Sequence, residues 1–169
     1  MIAVNHSLAD VLPWSAGMSE IAELLWRINT EYRVRLSRAQ NSLDLLGQLL
    51  QLRISGEDEG LTETLREMRQ ALQALADDHR EWRYRYFYES ADARRMVQDD
   101  LSVNRAIAAF SRMHSGQQRV LHQLYDVLDS LPRPDTLLTS VANGDLWRLT
   151  RQAFADLASF SDYLQTARR

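Results

Sequence analysis

The chain contains no lysine and no cysteine: its 20 basic residues are all arginine, set against 23 acidic residues for a formal net charge of −3. Without lysine there is no Schiff-base or pyridoxal chemistry and no phosphate-loop lysine; without cysteine there is no thiol nucleophile, disulfide or thiolate zinc site. Six glycines and three prolines are too few to punctuate a many-stranded fold, and the abundant Leu, Ala, Arg, Gln and Glu are good helix formers. No run approaches the ~20 consecutive apolar residues that cross a bilayer. Residues 1–18 lack a basic n-region and are broken by Asn5, His6 and Asp10, so no signal peptide is expected and a cytoplasmic location follows by default. The 169 residues, 45% hydrophobic and 25% charged, suit one globular domain that buries roughly 68–70% of its unfolded surface.

Codon usage in a GC-rich genome is a sufficient cause for arginine without lysine. Guanidinium groups nonetheless favour planar, bidentate contacts with carboxylates, phosphates and aromatic rings, so each cluster is weighed by its neighbours.

Apolar residues recur at helical spacing through almost the whole chain. The first segment opens at Ser19, a good N-cap, and places Ile21, Leu25, Ile28, Tyr32, Leu36, Ala39, Leu43, Leu46 and Leu50 on one face until Ser55-Gly56. An acidic turn over residues 56–60 leads to a second segment with a heptad-like seam of Leu61, Leu65, Met68, Leu72, Leu75, His79, Trp82 and Tyr86. A turn near 89–92 fits the lengths, and the third segment runs from about 92 to Leu131 with Ile107, Phe110, His114, Gln117, Leu121, Leu124 and Leu128 in register and a kink allowed at Ser115-Gly116. Pro132-Arg133-Pro134 stops it. The fourth begins at Asp135, has a potential break at Asn143-Gly144, and carries Leu146, Leu149, Ala153, Leu157, Phe160 and Leu164. Helices of roughly 35, 27, 40 and 34 residues, about 40–60 Å each, suit an all-α, up-down four-helix bundle. It would comprise residues 19–169, preceded by an extension, 1–18, with a short helix over Ser7–Leu12. The echo between Leu25-Trp26-Arg27-Ile28 and Leu146-Trp147-Arg148-Leu149 reads as coincidence in a chain rich in Leu and Arg.

The densest unusual segment is 79–88, in which five of ten residues are aromatic and three are arginine. That mixture stacks planar groups while holding phosphates or carboxylates, which makes Arg80, Trp82, Arg83, Tyr84, Arg85 and Tyr88 the candidate ligand- or partner-binding residues. The bland alternative puts Trp82 and Tyr86 in the core and pairs Glu81 with Arg85 at i,i+4. Arg27, Arg33, Arg35 and Arg38 form a second basic patch, where Glu23 and Glu31 already offer partners one turn before Arg27 and Arg35. A pI near 5.8 counts against general nucleic-acid binding.

His79 and His114 fall on seams, where polar groups set register or hydrogen-bond within the core. With Asp100 and Asn104 they are the candidate buried polar residues. A phosphotransfer histidine must face solvent, which neither seam position does. No Glu-x-x-His pair of a di-iron bundle occurs, and His114 and His122 are eight apart with Gln118 between them and no His-x-x-x-His or Glu-x-x-x-His pairing to support them, so no metal and no cofactor is expected. There is no nucleophile elbow or phosphate loop, and the acid pairs Asp77-Asp78 and Asp99-Asp100 diverge by about 100° on a helix. The sequence therefore points to a non-enzymatic interaction or scaffold protein whose partner is a protein, including a second copy of itself. The alternative is a module that binds an anionic aromatic ligand or single-stranded nucleic acid through the Arg/aromatic segment. A bundle enzyme using His79 or His114 as general base would need one of them open to a pocket.

Overall fold

The computed structural model describes residues 20–53, 59–88, 100–131 and 141–167. They form helices α1 (Glu20–Arg53), α2 (Glu59–Arg83), α3 (Asp100–Ser130), α4 (Val141–Ala158) and α5 (Phe160–Ala167), with a π-helical turn over Tyr84–Tyr88 prolonging α2. The protein is all-α, with no strand among the described residues. None of these helices is long and apolar enough to cross a membrane. The extension at 1–18, the Ser19 cap, the turn at 89–92 and the proline stop at 132–134 lie outside the described residues.

Leucine spacing places the core. In α1 every expected seam residue from Leu25 to Leu50 is buried and Ile21 is half-buried; in α2 the seam from Leu61 to Trp82 is buried, and in α3 that from Ile107 to Leu128. A 3.6-residue period brings positions three and four apart onto one stripe, so each such helix presents a continuous apolar face. α1 is the most enclosed element, packing against α2, α3, α4 and α5, while α3 also packs against α2, α4 and α5. That enclosure explains why Ala22, Leu24 and Asn29, off the expected seam of α1, are buried as well.

The structure departs from expectation in four places. Helix α2 begins at Glu59, inside the span expected as an acidic turn, and α4 runs without a break through Asn143-Gly144. The interruption falls instead at Ser159. Its N–H still donates to Ala155 O at 2.9 Å, its hydroxyl bonds Asp156 O at 3.2 Å, and Asp162 N–H tightens onto Ser159 O at 2.9 Å; such serine bonds offer the backbone an alternative to the regular ladder. Third, the start of the α4 seam is rotated: Leu149 is 62% exposed and Leu146 half-buried, while Trp147, Thr150 and Phe154 face inward; Ala153, Leu157, Phe160 and Leu164 are buried as expected. Trp147 and Phe154 have more apolar area to bury than the leucines, and Thr150 enters the core at little cost because its hydroxyl donates to Leu146 O at 2.8 Å and lies 3.4 Å from Ser42 O. The two Leu-Trp-Arg echoes are consequently buried differently, Leu25 and Ile28 inward in one, Trp147 inward and Leu149 outward in the other. Fourth, α2 ends in the π turn, which falls on the Arg/aromatic segment.

Candidate functional site

The core's polar groups gather at one level. Tyr32 on α1 stands amid His79 on α2, Phe110 and His114 on α3, and Phe160 on α5, with ring centroids 4.9, 5.1, 5.8 and 5.5 Å away. Trp82 stacks on His79 at 5.6 Å and meets Phe110 edge-on at 5.0 Å. These residues are one or two turns apart on their helices, so the seams that make the core also build this cluster.

A hydrogen-bonded chain leads outward from it. The Tyr32 hydroxyl donates to Gln117 Oε1 at 2.5 Å, and Gln117 Nε2 donates to Asp78 Oδ2 at 3.3 Å, joining α1, α3 and α2. Burial, and secondarily the charge of Asp78, raises the Tyr32 phenol above its ordinary value, which keeps it a proton donor rather than a base. Burial holds His79 down to about 3, helped by the positive charges of Arg83 and Arg33, and holds His114 down to about 4. Both imidazoles are therefore neutral near pH 7. Gln118 Nε2 lies 2.8 Å from His114 Nε2; an amide nitrogen only donates, so the ring proton sits on Nδ1. That Nδ1, His79 Nε2 and Asn29 Oδ1 are buried without a hydrogen-bond partner among the described residues, and neutral rings bear this cost better than charged ones.

Above the cluster, α2, its π turn and α3 bound an open cleft of about 300 Å³ lined by Asp78, Glu81, Trp82, Arg85, Arg112 and Met113, with Tyr86 and Ala109 beside them. The Trp82 indole N–H is fixed by Ala106 O at 3.0 Å. A second cleft, about 330 Å³, lies between α1 and α2 around Gln40, Asp44, Arg69 and Gln73; there Arg69 is already paired with Asp44 at 3.0 Å. Neither of these two clefts is lined by His79 or His114, which are 4% and 1% exposed.

The candidate residues divide between core and surface. Trp82 is buried and Tyr86 half-buried, as a helical seam requires, while Arg83 is half-buried and Tyr84 is 60% exposed. Arg80 is exposed and pairs with Asp77, and the exposed Arg85 approaches Glu81 at 3.8 Å. Tyr88 belongs to the π turn and Asp100 opens α3, but their side chains lie outside the described residues. Asn104, expected to be half-buried, is exposed, because the inward stripe of α3 is Val103, Ala106, Ile107 and Phe110, and one residue turns a side chain by about 100°. In the first-helix patch Arg35 pairs with Glu31 and lies 5.2 Å from the Phe160 and Tyr163 rings. Its charge is thereby committed.

Sequence reasoning put Tyr32 and Gln117 on their seams without assigning them a role. A polar residue at a seam position, the signal that singled out the histidines, was available for both. Arg112 and Asp78 carried no local signal, since they meet only when α2 and α3 pack together.

The fold and site define an all-α protein with a closed aromatic and imidazole core beneath an open, charged cleft. The chain matches no family model, no curated protein and no solved structure.

Proposed function

We propose that this chain is a non-enzymatic interaction or scaffold protein, an up-down four-helix bundle that works through its helix faces and self-associates. The direction of the bundle is supported by pairs of cross-helix contacts. Tyr32 meets His79 whereas Asp44 meets Arg69, so α1 and α2 run oppositely. Trp82 with Ala106 and Asp78 with Gln117 do the same for α2 and α3. Arg151 with Asp129 and Phe160 with Phe110 reverse the fourth segment against α3.

One observation carries the functional reading: the basic and nucleophilic groups of the core, both imidazoles and the Tyr32 phenol, are sealed away from the clefts and held neutral. What remains for a partner is helix surface. Self-association draws support from Val34 and Leu45, 40% and 54% exposed, which fall on one outer stripe of α1 because eleven residues complete about three turns. Sedimentation velocity is expected to reveal a concentration-dependent dimer or higher oligomer. A compact monomer at every concentration removes self-association from the reading.

A second reading, a module for an anionic aromatic ligand or single-stranded nucleic acid, is favoured by the π turn that leaves Tyr84 and Arg85 in solvent, since π turns recur at functional sites. It requires salt-dependent binding that disappears in the Arg83→Ala/Arg85→Ala protein. A thermal-shift screen with nucleotides and short oligonucleotides that moves nothing eliminates it.

A further inference from the structure

We infer that the α2–α3 cleft is the seat of a second copy of this chain, with Glu81 of each copy meeting Arg112 of the other; this rests on the self-association proposed above and assigns it a face other than the Val34 and Leu45 stripe of α1. The four charged groups around the cleft are two carboxylates, Asp78 and Glu81, and two guanidiniums, Arg85 and Arg112. Their charges cancel. A simple anion entering here faces two carboxylates, and a simple cation faces two guanidiniums. A copy of the same surface, turned about a two-fold axis, brings acids over bases twice, which is what a self-complementary interface requires.

These charges are also poorly satisfied within one chain. Among the described residues Arg112 forms no ion pair and Asp78 is held by the Gln117 amide rather than by a cation, while Glu81 has only the solvent-exposed i,i+4 ion pair with Arg85 at 3.8 Å. In the cleft between α1 and α2, by contrast, the guanidinium and the carboxylate, Arg69 and Asp44, form an ion pair at 3.0 Å. The cleft is set from beneath, Asp78 through Gln117 and Tyr32 and Trp82 through Ala106, so these two lining side chains are ordered before docking and their ordering does not oppose it. Trp82, Tyr86 and Met113 supply apolar floor between the charges.

Charge reversal tests the pairing in the full-length protein. Arg112→Glu alone and Glu81→Arg alone place like charges opposite each other and are expected to weaken dimerisation by about tenfold or more, equivalent to about 1.4 kcal/mol. Both residues are solvent-exposed, so circular dichroism and thermal melting should report an unchanged fold. Mixing the two variants one to one restores opposite charges at both contacts: the two substituted side chains face each other at one, and the unaltered Glu81 and Arg112 meet at the other. Sedimentation is then expected to recover a heterodimer, and the double variant should recover its own dimer. If both single variants dimerise like the parent, or if the mixture stays monomeric, the cleft is not the interface, although self-association through another face survives. A monomeric parent protein overturns self-association itself and this inference with it.

Discussion

Acid should loosen this fold by an amount traceable to two side chains. His79 and His114 are 4% and 1% exposed, and burial, reinforced at His79 by Arg83 and Arg33, lowers them from 6.5 to about 3 and about 4. In the unfolded chain both rings regain their ordinary value. Between the folded and unfolded values the unfolded chain binds more protons, so stability rises with pH there. The contribution is complete above 6.5 and is lost progressively as the pH falls toward the folded values. Because both folded values lie below pH 5, the loss between about pH 7 and pH 5 is set by the unfolded chain alone, at about 2 kcal/mol per imidazole and ~4 kcal/mol for the pair. Against a typical total of about 5–15 kcal/mol for a domain, that is a large part of the margin.

The assay is urea unfolding at the two pH values for the parent, His79→Leu, His114→Leu and the double variant. Each substitution also changes packing, but that change is common to both pH values and cancels in the difference. Each single variant should lose about half of the imidazole-dependent acid sensitivity, and the double variant nearly all of it. Ring-proton resonances of both residues in the folded parent should stay flat down to about pH 5. Titration of either near 6.5 in the folded state, or an acid sensitivity unaltered in the double variant, would refute burial as its source.

Tyr32→Phe should cost about 1–3 kcal/mol by leaving Gln117 Oε1 buried without its donor, and adding Gln117→Met should return part of the loss in chemical denaturation; a lone Tyr32→Phe that costs nothing contradicts the Tyr32-to-Gln117 link. The rotated start of the α4 seam predicts that Leu149→Gln stays within about 0.5 kcal/mol of the parent while Phe154→Ala, at a position off the expected seam but 1% exposed, costs about 3–5 kcal/mol, and the reverse order would restore the seam expected from leucine spacing. Gly116→Ala, in open space inside α3, should add about 1 kcal/mol of helix propensity and raise Tm by about 2–4 °C. In Gly47→Ala the new Cβ would lie 2.6 Å from the end of Arg69, a flexible group whose exposed pair with Asp44 is worth at most about 1 kcal/mol, so the helix gain should roughly cancel; a loss well beyond that would mean Arg69 cannot move.

How far the sequence reads into this structure depends on how distant each residue's neighbours are along the chain. The seams of α1, α2 and α3 follow from leucines three and four apart, a local rule that the backbone period enforces. The same rule fails only at the start of α4, where two adjacent stripes both qualify, Leu146-Leu149 and Trp147-Thr150-Phe154, while Ala153 and Leu157 are buried as the spacing expects. Area buried against α1 and α3 decides between them, and that area belongs to the neighbours. His79 and His114 are conspicuous because each interrupts an apolar seam, yet the meeting of Tyr32 with Gln117 spans 85 residues and depends on the registers of α1 and α3. Charge follows the same division. Glu31 with Arg35 and Glu81 with Arg85 are one turn apart and can be paired from the sequence, and the structure brings both pairs together. Arg112 has no such partner on its own helix, and its setting is supplied by α2. A guanidinium left unsatisfied by its own helix but set beside carboxylates from another is a different object from a solvated helix face, and only packing reveals it. The Arg/aromatic segment at 79–88 stands out by composition, whereas the surface proposed for a second copy also needs Asp78 and Arg112, two residues that nothing in their local sequence marks.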